Sequence, residues 1–273
     1  MKVSTLTFKV CLPALLIFAA PCAASEPEAA NYTTFDTPRF ILYVGREEEH
    51  SDYQLFAQNV ADKAITVLDE TFDELHKVFG AQPVKKVVLR FLPPAEFRRQ
   101  TGAPEWTSAM FYRGEITIPL SKSRGINQIE LRRALRHEYV HAVIAELSDY
   151  RCPAWLDEGV AQILEGDVNP VLGPALREWI AENEAMPLSL LQNGFTMLEA
   201  DVVPAAYAQS LFFTRHLIEK LGFKAVVKYL KKLNQGLSEE DSFEIAFGDT
   251  KSEYQKELTK EIRLWAASDV TNP

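Results

Sequence analysis

Cysteine is scarce: three in 273 residues exclude a disulfide-rich scaffold and a cysteine-rich metal site. Cys11 and Cys22 sit in the N-terminal leader, so Cys152 alone stays in the remaining chain and no internal disulfide is expected. Positive charge is also in deficit, with 29 Lys and Arg against 38 Asp and Glu. No basic, aromatic-interleaved stripe appears, which argues against a nucleic-acid partner. Beyond the leader no apolar run is long enough to span a bilayer, so no stable membrane insertion is expected after its removal. Internal repeats and low-complexity tracts are absent as well.

What is present begins with MKVSTLTFKVCLPALLIFAAPCAAS. Lys2 and Lys9 form a basic start, Val10 to Ala20 an apolar stretch, and small residues follow with cleavage expected after Ala24. This is the layout of a secretory signal over residues 1–24. Eleven apolar residues interrupted by Pro13 and ended by Pro21 are too few for an anchor. The expected location is therefore exported, periplasmic or secreted. The exported chain would carry 27 basic against 38 acidic side chains, a net −11.

The polar, turn-rich segment after the leader reads as a tether over residues 25–37. Strand patterns follow at 38–45 and 84–92, separated by a helical pattern over 52–80 that Gly80 closes. TSAMFYRGEITIPL (107–120) reads as a hairpin turning near Arg113-Gly114. After residue 126 the spacing predicts helices only, over 127–148, 153–165, 174–184, 205–221, 223–234, 239–247 and 251–267. The fold class is α+β: a sheet-bearing N-terminal lobe over 38–148, then a helical lobe over 149–273, with 38–273 one catalytic unit.

The stretch LRRALRHEYVHAVIAEL (131–147) lies at the joint. Apolar residues surround His137, Glu138 and His141, and burying such groups without partners is costly. On a helix, His137 and His141 sit about 40° apart on one face, so two imidazoles can converge on one ion. Glu138 flanks them. This is His-Glu-x-x-His spacing, in which the Glu handles the proton of an activated water. Chance supplies such a pentapeptide in ~0.01 of chains of this composition; a plain polar helix face is the bland alternative.

A catalytic zinc needs a third protein ligand. The metzincin continuation would place Gly and His where Ile144 and Leu147 stand, and is excluded. Instead PAWLDEGVAQILEG (153–166) follows. Leu156, Val160 and Ile163 form its core face, and Glu158 lies on the other side beside Gly159 and Ala161, small neighbours that let another helix approach. Asp157 reads as a first-turn acid complementing the helix dipole, and Glu158 as the third ligand. Gln162, one turn on, reads as a hydrogen-bond partner of a ligand or as a solvated residue. No role is assigned to His50 or His76, and His216 is read as an ordinary surface or core histidine.

HEYVH followed by WLDEGVA resembles the gluzincin zinc metallopeptidases, in particular the compact peptidase-MA-like family. The close match covers 134–166; a looser likeness in element order extends from about 38 to 267. The resemblance implies a zincin-like fold, in which a small mixed sheet and the active-site helix face a helical lobe across a cleft. It also implies one zinc ion on His137, His141 and Glu158, with Glu138 as general base on a metal-activated water. Tyr207, just after Pro204, matches the tyrosine that such enzymes aim at the oxyanion, though an aromatic at helical spacing is also ordinary core. The amine-binding signature of the larger aminopeptidase relatives is lacking, since Met110 continues into Phe111 and Tyr112. One strand of this segment would border the cleft and pair with an extended peptide.

The expected function is an exported zinc-dependent peptidase acting on peptide or protein substrates. Two other readings compete: an exported zinc-containing peptide-binding module without turnover, and a zinc hydrolase of a non-peptide amide or ester. A purely structural zinc site would be closed by four protein ligands and would need no Glu138.

Overall fold

The computed structural model describes residues 32–46, 52–83, 85–104, 107–112, 114–166, 169–195, 198–270 and 273. The leader expected over 1–24 lies outside them. The tether expected over 25–37 is corrected at its end, because Tyr32–Asp36 forms strand β1, paired antiparallel with β2 (Phe40–Gly45). Its polar residues are tolerated because it is an edge strand, with Thr34 and Asp36 facing solvent.

Five strands make one mixed sheet in the order β1-β2-β3-β5-β4. β2, β3 (Val87–Leu92) and β5 (Glu115–Pro119) run parallel, and β4 (Met110–Tyr112) folds back antiparallel on β5 as the other edge. Gly114, at φ 86°, supplies the positive φ that this tight hairpin requires. Register puts Leu42, Leu89, Ile116 and Phe111 in one row across the sheet. All four are buried, on the face that carries the main core.

Helices α1 (Tyr53–Phe79) and α3 (Gln128–Ser148) cover that face. The opposite face is covered by α2 (Pro94–Thr101), where Tyr32, Leu92, Phe97, Ala103 and Met110 form a smaller cluster. α3 starts where the Asn127 side chain accepts from the Ile129 and Glu130 N–H groups. From Tyr139 to Ala145 every residue of α3 is buried, as in a helix sandwiched on all sides.

The rest is helical: α4 (Ala154–Leu164), α5 (Leu172–Glu182), α6 (Val203–Leu221), α7 (Phe223–Asn234), α8 (Glu239–Phe247) and α9 (Lys251–Ala266). These follow the expected α+β order with boundaries shifted by a few residues. α3 packs on α4, and α4 on α6. At the α4–α6 crossing a β-carbon at Gly159 would stand 2.5 Å from the Ser210 carbonyl oxygen and closer still to Thr214 Oγ1. Only glycine allows this approach. Among the described residues no helix is long and apolar enough to cross a membrane.

Candidate metal centre

The site forms where α3 crosses α4. His137 and His141 project from one face of α3, one turn apart, with ring centroids 4.7 Å apart and planes at 76°. Pro153 and the first turn of α4 bring Glu158 over them. Two N–H groups of that turn, of Ala154 and Trp155, donate to the Gln192 and Leu191 carbonyls, so the helix end is buried without unpaired donors there. Glu158 Oε2 then lies 3.4 Å from His137 Nε2 and 3.9 Å from His141 Nε2.

One ligand atom from each of His137, His141 and Glu158 lies within 4.8 Å of the other two, as atoms around a shared cation do. All three side chains and Glu138 are at most 1% exposed. Among the described residues His137 Nε2, Glu138 Oε1 and both Glu158 oxygens have no hydrogen-bond partner. Buried polar atoms are rarely left so, and these are borderline-soft and hard donors suited to zinc. The residues therefore fit the ion that the sequence implies.

The other side of each imidazole is satisfied. His137 Nδ1 is 2.8 Å from Glu165 Oε2, and His141 Nδ1 is 2.7 Å from Asp157 Oδ1. Donation of Nδ1–H to a carboxylate leaves Nε2 as the acceptor that faces the convergence point. The reading of Asp157 as a helix-dipole acid is thus corrected: it stands in the first turn of α4, but its carboxylate orients His141. Glu165 was not singled out from the sequence. The signal was present, since seven residues after Glu158 returns to the same helix face within about 20°.

Burial works against charge on His137, but the Glu158 and Glu165 carboxylates outweigh it and push its pKa up to about 10. His141 is raised too, with Asp157 overcoming burial. Glu138 is pushed up to about 7 by burial, against the lowering effect of both histidines and of a backbone hydrogen bond from Phe111. α3 packs against edge strand β4 here.

Tyr207 lies in the first turns of α6, 2% exposed, its ring edge-on to Phe195 at 4.8 Å. The Gln162 amide donates to the backbone carbonyls of Glu158 and Tyr207. His216 is half-buried, its Nε2 3.7 Å from Glu257 Oε1.

The family model described as the Peptidase MA superfamily matches residues 69–262. No curated protein matches the chain. Among solved structures, an M1 zinc metallopeptidase from Deinococcus radiodurans, bound to a Tyr-Ser-Ala substrate, is similar at 14% identity and TM-score 0.42. A two-domain M1 zinc metallopeptidase bound to L-arginine is similar at 15% identity and TM-score 0.41. Each match covers 89% of this chain and 52% of the other, so the chain spans about half the length of these structures.

Proposed function

The chain belongs to the Peptidase MA superfamily, and from that premise we propose that it is a zinc-dependent peptidase of the gluzincin type. The observation that carries the reading is the convergence of buried donor atoms from His137, His141 and Glu158, with His137 Nε2 and both Glu158 oxygens unpartnered among the described residues and Glu138 beside them. One zinc ion held by these three side chains would supply Lewis acidity, polarising a peptide carbonyl and lowering the pKa of water from about 15.7 toward ~7.

The chain's own groups carry the proton. Glu138, with its carboxyl near neutrality, accepts a proton from the attacking water and passes it to the leaving amine. Asp157 and Glu165 hold the two imidazoles in the Nδ1–H tautomer throughout. The Tyr207 hydroxyl donates to the oxyanion that develops on the substrate carbonyl. An extended peptide adds to the outer edge of β4, past Phe111, which brings its backbone alongside Glu138. Export by the leader, and action on peptides outside the cytoplasm, belong to the same proposal.

A quenched peptide library tests it with the full chain. Cleavage that stops on chelation and returns with zinc is the expected outcome. Zinc binding without cleavage of any peptide would sink the peptidase reading, and turnover confined to esters would replace it with the hydrolase one.

A further inference from the structure

Gln162 has one amide nitrogen and spends it on two different helices. Its Nε2 donates to the Glu158 carbonyl at 3.1 Å and to the Tyr207 carbonyl at 3.1 Å. Both partners are carbonyl oxygens and accept only, so the NH₂ end must face them and the amide orientation is fixed. The two carbonyls are therefore held at most about 6.2 Å apart. One belongs to the residue whose carboxylate meets the imidazoles, the other to the residue whose hydroxyl would meet the oxyanion. Gly159, three residues earlier on α4, lets α6 come close enough for the bridge to form. Phe195 packs against the Tyr207 ring, so the turn is held through its backbone and its side chain.

We infer that Gln162 is a positioning residue: it sets the distance between the Glu158 carboxylate and the Tyr207 hydroxyl, and so the aim of Tyr207 at the reacting carbonyl. This rests on the peptidase reading and on the role of Tyr207 within it. Gln162→Met keeps the length and removes both donors; Gln162→Leu, also apolar and without donors, serves as a second variant should the first not fold.

The experiment is a double-mutant cycle with Tyr207→Phe, read as kcat, KM and bound zinc on a peptide that the wild-type protein cleaves. Gln162→Met is expected to lower kcat about tenfold, as displacements of a reacting group well under an ångström do. KM should stay within about twofold and zinc content should not change. In the Tyr207→Phe background the same substitution should cost less than about twofold, because the hydroxyl it positions is already gone. A simple structural role would give equal losses in both backgrounds, and that result, or zinc loss from Gln162→Met, would overturn the inference. Full activity of Tyr207→Phe alone would overturn the role of Tyr207 and that of Gln162 together. Absence of wild-type cleavage would instead mark failure of the peptidase reading.

Discussion

Helix α3 carries charge on two faces, and the two are opposites. Toward α1, Arg132 meets Glu70 at 2.8 Å and Arg136 meets Glu74 at 2.6 Å. The first pair is about half exposed on both sides, and water competes for every group in it. Toward α4, His137 and His141 meet Glu158, Asp157 and Glu165 with almost no exposure, and several atoms are left unbonded. The solvated Arg132–Glu70 pair contributes little, on the order of 0–1 kcal/mol, while Arg136 is more buried and also donates to the Leu164 carbonyl. The buried cluster is incomplete, and desolvation makes that incompleteness expensive. Charge by itself therefore marks nothing on this helix; charge that is buried and short of a partner marks the place where a ligand belongs.

The contrast can be broken most violently at Glu158. Glu158→Ala should strip the metal and take cleavage to background; full zinc occupancy by elemental analysis would show that the third ligand lies elsewhere. Glu138→Gln should keep the metal and lower kcat by about 10²–10⁴-fold, so that stoichiometric zinc with retained turnover would remove the general base. Asp157→Asn and Glu165→Gln sharpen the comparison from outside the cluster. Each should weaken zinc binding by about 10–100-fold in competition with a chelator, and unchanged affinity would return both to ordinary packing.

Proton competition gives a subtler handle. His137 is raised from its ordinary 6.5 to about 10, so in the metal-free protein its proton contributes stability fully below pH 6.5, lost as pH rises through about 10. An ion must displace that proton. Zinc affinity should accordingly rise with pH across the neutral range, with protons released on binding, and a pH-independent affinity would contradict the assignment. The smallest effect is expected on the solvated face: Arg132→Ala should change stability by less than about 1 kcal/mol in denaturant titration and leave zinc and kcat alone.

Much of this was legible in the sequence because helical spacing is a strong local constraint. Four residues bring His137 and His141 to one face whatever surrounds them, and Gly159 announced a close approach beside Glu158. Asp157 was misread because its partner is set by how α4 crosses α3, and no local pattern encodes a crossing. Glu165 was missed for the same reason, although its place on the Glu158 face was available. The strand at Tyr32–Asp36 escaped notice because YTTFD carries only two aromatics among polar residues, and its hydrogen bonds come from β2. The bridge from Gln162 to Tyr207 joins residues 45 apart, and only the folded helices reveal it.

The seam at Gly159 leaves α4 and α6 no room to drift together or to slide. Glu158 is the next residue along, so the stop that α6 sets for α4 also sets where the carboxylate comes to rest over the histidines. Gly159→Ala should therefore push α4 off its seat and weaken zinc binding without touching a single donor atom, and unchanged affinity in that variant would detach the seam from the site.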